Sequence, residues 1–414
     1  MTFPRFTANG ARIGGTARRS ALPSRGTFTM RYHPALLPSF LAVLGLSLAG
    51  NSALAQIRLG VGGPITGGSA PFGAQLKYGV EQAIEDINGA GGIVGQKIQS
   101  PPFVGDDRAD PKEGVSVANK FAGDGVKFVV GHFNSGVTIP ASDVYQENGM
   151  LVITPAATNP KVTDRNLWNV FRTCGRDDQQ GVVAGAIVAE RFKGKRVAMV
   201  HDKTTYGQGL AEETRKSMNS KGLKEVLFEG VNIGDKDYSA LVSKIKAARA
   251  DLVYWGGLHD TGGLILRQLR DQGVKATFMG GDGMAEEEFA TIAGPGAEGT
   301  LMTFSPDPRT NPANKEIVEV FRKKGFEPQA YTLYSYAAVQ IIKQAAEEAK
   351  SVDTKKVADV MHSGKSFNTV LGDLSYDKKG DVTGYTVAGK KKDRYVLYIW
   401  KKGPDGKITY VEAQ

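Results

Sequence analysis

From residue 56 onward, short β-branched or aromatic runs alternate with longer stretches whose apolar residues recur at helical spacing. That alternation predicts a parallel sheet with helices on both faces. Ile57–Val61 reads as a first strand, and Leu76, Val80, Ala83, Ile84 and Ile87 form one stripe of a helix that Asn88-Gly89 ends. The runs 127–130 (KFVV) and 151–153 (LVI) read as buried strands around a helix over 137–148. A second series begins with a strand at 196–200 and a helix over 207–218, followed by a strand at 252–255, a helix over 264–269 and a strand at 277–279. Two α/β lobes follow. Long helices return over 313–324 and 331–350, while Lys379-Gly380, Asp405-Gly406 and an alternating run over 395–400 mark a strand-and-turn end. The chain therefore crosses between lobes more than once, and no sequence repeat or long linker interrupts it.

The length of 414 residues fits two domains, and 52 glycines, about one residue in eight, exceed the ~7 % of an average chain and suit many strand-to-helix turns. The net charge of +9 is less telling than it looks. Residues 1–55 hold six arginines (Arg5, Arg12, Arg18, Arg19, Arg25, Arg31) and no acid, which leaves +3 for the remainder. So small an excess argues against a nucleic-acid binder.

The same stretch reads as an export signal, with a basic part up to Arg31, an apolar run from Ala35 to Gly50, and Ala53-Leu54-Ala55 before Gln56. The run of 16 residues contains Pro38 and falls short of the roughly 20 needed to span a bilayer. Cleavage after Ala55 is expected. Met30 is an alternative start, and Arg18-Arg19 stand too far from the run for a twin-arginine signal. Gln56 is not a cysteine, so the mature chain is expected to be periplasmic and free of a lipid anchor.

Catalytic signatures are missing. His33, His132, His201, His259 and His362 form no pair at metal-binding spacing. Gly60-Val61-Gly62 follows a strand, yet Ile65 stands where a dinucleotide fingerprint needs its third glycine. Phe133, two places before Ser135, breaks a nucleophile elbow. With Cys174 as the single cysteine there is no internal disulfide and no thiolate cluster; the thiol reads as buried and structural. The pattern calls for no cofactor and no metal.

The ends of the strands carry hydroxyls, amides, aromatics and one acid. Gly131-His132-Phe133-Asn134-Ser135-Gly136 leads from a strand into a helix, where free N–H groups favour an anion, and Thr154-Pro155-Ala156-Ala157-Thr158 follows the next strand. Taken alone, Ser135 reads equally as a helix cap, Thr158 as turn chemistry and Asp282 as a surface acid in a glycine-rich turn.

Four longer segments, Gly131–Pro160, His201–Glu213, Phe278–Met284 and Ile292–Thr303, resemble, in order and spacing, the Leu/Ile/Val-binding proteins of ABC importers. The resemblance spans essentially the whole mature chain. It implies a type I periplasmic binding fold, an α/β Venus-flytrap of two doubly wound, Rossmann-like lobes joined by three hinge crossovers. One lobe would hold residues 56–175 with 306–385, the other 176–305 with 386–414. The resemblance also implies a free amino acid as ligand, with its carboxylate on Ser135 and Thr158. The ammonium would lie on the Ala156 carbonyl, the Thr158 hydroxyl and Asp282. Tyr206 adds a contact from the second lobe, and Phe72, Phe133, Leu258 and Tyr331 surround the side chain, with Asn134 completing the set. Implied partners are an inner-membrane ABC permease and its ATPases, with the binding protein a monomer.

Several positions depart from the family pattern. Asp282 stands where Glu is frequent, Phe72 and Leu258 replace tyrosines, and Ala109 with Asn134 replace the family's disulfide. These changes leave branched-chain preference open to broader or aromatic amino acids. The alternatives are a binding protein for an amide, urea or aromatic acid, a ligand sensor on the same fold, and a secreted hydrolase.

Overall fold

A computed structural model describes residues 56–387, 390, 391 and 393–413, with Thr27. Thr27 apart, the export signal read in residues 1–55 lies outside the described residues, as does Lys392.

The first part of the chain forms β1 (Leu59–Gly63), α1 (Ala70–Gly89), β2 (Phe103–Asp106), α2 (Pro111–Gly123), β3 (Phe128–Val130), α3 (Ser135–Glu147), β4 (Leu151–Thr154), the single turn α4 (Lys161–Asp164) and β5 (Val170–Arg172). Its five strands are parallel in the order β2-β1-β3-β4-β5. The central strands β1, β3 and β4 are buried along their whole length, as continuous apolar runs covered on both faces must be.

The chain then builds α5 (Asp177–Arg191), β6 (Val197–His201), α6 (Thr205–Ser220), β7 (Glu225–Gly230), α7 (Ser239–Ala247), β8 (Leu252–Gly256), α8 (His259–Asp271), β9 (Thr277–Gly280), α9 (Glu288–Ala293) and β10 (Leu301–Phe304). After β10 come α10 (Lys315–Lys323), α11 (Ala330–Ala349) and α12 (Thr354–Met361), then β11 (Phe367–Thr369), β12 (Gly372–Tyr376), β13 (Val382–Val387) and β14 (Lys390–Lys391), which form a small antiparallel sheet. Finally β15 (Val396–Lys402), antiparallel to β10, and β16 (Ile408–Glu412), antiparallel to β15, extend the second large sheet, in the order β16-β15-β10-β9-β8-β6-β7.

The parallel part of that sheet, β7-β6-β8-β9-β10, repeats the strand order of the first. The chain passes to it between Arg172 and Asp177, leaves after Phe304 for α11, which lies against α1, and returns between Lys391 and Val396. In doubly wound sheets of this order, ligands bind at the carboxyl ends of the strands, at the switch point between the first strand and its two neighbours.

Some boundaries differ from the sequence expectation for identifiable reasons. The first strand runs from 59 to 63 rather than 57 to 61, because Gly62 and Gly63 pair with Gly105 and Asp106 while Ile57 makes only an isolated bridge to Ile98. The edge strands β2 and β7 are partly exposed, and the short apolar runs in them are cut by Gly105 and Asp106 in β2 and flanked by Glu225 and Glu229 in β7. Gly131 ends β3 with φ of 146°, and a Cβ there would lie 2.2 Å from the Gly62 carbonyl oxygen. Only glycine lets the chain leave β3 so close to β1.

Candidate functional site

The loops after β3, β4, β6, β8 and β9 converge on one cavity between the two large sheets. Its lining is Phe133, Asn134, Ser135, Ala156, Tyr206, Leu258, Asp282 and Gly283, around about 230 Å³ of space.

On one side, Ser135 opens α3 rather than capping it. Asn134 is the capping residue and makes no side-chain cap. The Ser135 hydroxyl accepts the Asn159 N–H at 3.2 Å, which leaves its own proton to donate. Behind this loop His132 is clamped between Asp107 (2.6 Å) and Tyr145 (2.7 Å), all fully buried. The His132 carbonyl accepts the hydroxyls of Thr138 and Thr154. That network fixes the backbone from which Phe133, Asn134 and Ser135 project. Thr158 is buried next to Ala157, whose carbonyl accepts from Arg172 at 2.8 Å, and its own hydroxyl has no hydrogen-bond partner.

On the other side lies Asp282, only 3 % exposed. Its Oδ1 accepts the Tyr206 hydroxyl at 2.9 Å and its Oδ2 the Tyr331 hydroxyl at 2.6 Å. Gly283 N–H donates to Tyr206 Oη at 2.8 Å. Burial raises the Asp282 pKa against the opposing pull of the tyrosine hydroxyls, while burial, with the Asp282 charge second, pushes Tyr206 and Tyr331 well above the ordinary phenol value. The tyrosines therefore stay protonated as donors, and a cation arriving beside Asp282 relieves its strained charge.

Phe72 and Phe133 stack at 4.1 Å, with the Tyr331 and His259 rings edge-on to Phe72 at 5.9 and 5.0 Å. This aromatic wall backs the cavity. Of the ten residues singled out from sequence, Ser135, Ala156, Tyr206, Asp282, Phe133, Asn134 and Leu258 line the cavity. Phe72 stands behind Phe133, Tyr331 turns its hydroxyl onto Asp282, and Thr158 sits beneath the lining.

Gln75 and Glu286 were not legible as site residues. Gln75 Nε2 donates to Glu286 Oε2 at 2.6 Å and Gln75 Oε1 accepts the Tyr331 N–H at 3.0 Å. The first bond crosses from α1 to the segment after β9, as Asn159 Nδ2 crosses to the Thr205 carbonyl at 2.9 Å, while the second ties α1 to α11. The two lobes are thus joined across the cleft. The available signal was a glutamine inside the apolar stripe of α1, beside Leu76. Cys174 is buried, and desolvation pushes its thiol up to about 12, an inert state.

Facing sheets of one topology, a cavity at their carboxyl edges and contacts from both sides define a two-lobed solute-binding protein. The chain belongs to the periplasmic binding protein family, whose profile matches residues 56–388, and with it to proteins that work outside the cytoplasm. Leu/Ile/Val-binding protein homolog 1 of Brucella melitensis is 58 % identical over 374 residues, covering 90 % of this chain and 98 % of that protein. The leucine binding protein LivK of Thermotoga maritima superposes with a TM-score of 0.76 at 27 % identity, over 86 % of this chain and 97 % of its own. LivJ of Streptococcus pneumoniae, a branched-chain amino acid transporter substrate binding protein solved with isoleucine, gives 0.75 at 26 % identity, over 86 % and 100 %.

Proposed function

We propose that the protein captures an α-amino acid, branched-chain or broader in type, and delivers it to an ABC permease and its ATPases. The observation that carries this reading is the polarity of one small cavity. Donors stand on one wall (Ser135, the first turn of α3) and a buried acid, Asp282, on the other. A zwitterion matches both, and burying either charge without a partner costs several kcal/mol. The ligand carboxylate lies on Ser135 and Thr158, and its ammonium on the Ala156 carbonyl, the Thr158 hydroxyl and Asp282. The aromatic wall and Leu258 take the side chain. The likeness to amino-acid-binding relatives over nearly the whole chain supports the same assignment.

In this reading residues 56–175 with 306–385 make one lobe and 176–305 with 386–414 the other, and ligand contacts from both favour the closed form that the permease recognises. Export uses the leader, cleaved after Ala55, and the mature chain is a lipid-free monomer in the periplasm.

A thermal-shift screen of the mature protein against all amino acids, γ-aminobutyrate, urea and simple amides tests the function, since a ligand that binds the native state raises Tm by mass action. Stabilisation by amides or urea alone would overturn the reading. Ser135→Ala and Thr158→Ala are each expected to weaken amino-acid binding by about 1.5–3 kcal/mol, the worth of a hydrogen bond to a charged group. Calorimetry giving wild-type affinity in both would remove the carboxylate from this wall.

A further inference from the structure

Asp177 opens α5 at the first passage between the lobes, and its residue surface is 0 % exposed. Neither carboxyl oxygen has a hydrogen-bond partner, nor has the Thr158 hydroxyl beside it. The two residues are tied by their backbones, Asp177 N–H donating to the Thr158 carbonyl at 2.9 Å. Thr158 Oγ1 stands close enough to favour the ionised carboxyl without completing a hydrogen bond to it.

The nearby charges do not neutralise Asp177. Arg172 is committed to Asp381 at 2.8 Å and to the carbonyls of Ala157 and Asn159, and Arg176 to Asp164, Asp178 and Asp381. The other titratable groups facing Asp177 are Asp282 after β9, Asp178 on its own helix, Cys174, Tyr206 of α6, Tyr254 of β8 and Tyr395 before β15. None of these supplies a positive charge; the cations in reach are Arg172, which favours the ionised carboxyl but is paired with Asp381, and Arg394, which donates to the Cys174 carbonyl at 3.2 Å. Burial foremost, then the Asp282 charge, pushes the Asp177 carboxyl well above the usual carboxylate range.

We propose that Asp177 is a positioning residue of the ligand site that carries a proton when the lobes close on ligand, so that capture takes up a proton from solvent. The inference rests on the amino-acid reading. A zwitterion brings one ammonium, which Asp282 uses. An ionised Asp177 would remain as a second buried charge and would draw the single Thr158 proton towards itself. As a neutral carboxyl it donates to Thr158 Oγ1 instead, and the Thr158 proton turns to the ligand carboxylate. The sign follows from linkage. Closure raises the Asp177 pKa above its value in the open, hydrated cleft, so full affinity holds below the open-form pKa and is lost as pH rises through the closed-form pKa. Between the two, affinity falls by up to about tenfold per pH unit. Asp282, eased by the ammonium, acts in the opposite sense, which is why the variant must isolate Asp177.

The test is calorimetry with L-leucine, L-phenylalanine and L-alanine in pairs of buffers that differ in ionisation enthalpy, at several pH values. Wild type is expected to take up protons on binding. Asp177→Asn, which keeps a neutral donor, is expected to hold wild-type affinity at mildly acid pH within about threefold and to lose that uptake. Proton linkage that is the same in wild type and in a folded Asp177→Asn, or a folded Asp177→Asn that no longer binds, would each overturn the proposal. If that variant does not fold, infrared difference spectra of wild type decide. A new protonated-carboxyl band that appears on adding ligand, beside any band lost from Asp282, supports Asp177, and the absence of a new band at every pH overturns it. A wild-type protein that binds no amino acid in the thermal-shift screen would instead bring down the functional reading itself, and this linkage with it.

Discussion

Asp282→Ala is expected to weaken amino-acid binding by roughly thirtyfold or more while circular dichroism stays that of wild type. The side chain is almost wholly withdrawn from water and faces the cavity as its one lining acid. Removing it leaves an arriving ammonium with the Ala156 carbonyl and a hydroxyl but no countercharge. Truncating one partner of a buried charge pair costs about 2–5 kcal/mol, roughly thirtyfold to several-thousandfold in Kd. The loss goes beyond the charge, because the Tyr206 and Tyr331 hydroxyls both end on this carboxylate and Tyr331 reaches it from α11, on the opposite side of the cleft. Two donors and one closing contact go with it. Asp282→Asn keeps the shape and loses the charge, so it separates the two contributions. Asp282→Glu, the residue frequent in the resembling family, is expected to bind with altered side-chain selectivity. Unchanged affinity in the alanine variant would place the ammonium elsewhere.

Much of this site was readable because doubly wound folds put function at strand ends, and strand ends are visible in sequence. The runs that end at Gly131 and Thr154 mark the loops of Ser135 and Ala156, whereas the roles of Tyr206, Leu258 and Asp282 came from the family resemblance. The matching strand order of the two sheets was not readable, since it repeats in topology and not in residues. Nor were the partners that a fold brings together from far apart. Gln75 meets Glu286 across 211 positions, and nothing local says that a helix glutamine points at a distant acid. Nothing in the sequence sets Asp177 apart from the chain's other acids. Its importance comes from complete burial and from the engagement of the nearby arginines elsewhere, which only packing reveals.

Those arginines lead to the largest effect expected on stability. Arg172, fully buried at the end of β5, forms an ion pair with Asp381 Oδ1 at 2.8 Å, and Arg176 donates to Oδ2 at 2.7 Å, while the Thr163 hydroxyl also reaches Oδ1 at 2.8 Å. One carboxylate on the turn before β13 therefore ties the end of β5 to the start of α5, where the chain leaves the first sheet. Asp381→Ala would leave the Arg172 guanidinium buried with only carbonyl and hydroxyl acceptors, the Ala157 and Asn159 oxygens and Thr163. Breaking a buried pair in this way costs about 3–5 kcal/mol, far above the ~0–1 kcal/mol of an exposed pair such as Lys355–Asp359. Urea unfolding is expected to show a lower midpoint at unchanged slope, and Asp359→Ala is expected to stay within error of wild type. Because Arg172 also holds the carbonyls on either side of Thr158, saturating ligand is expected to recover part of the Asp381→Ala loss. Equal midpoints for the two variants would mean that the carbonyl cradle alone satisfies Arg172.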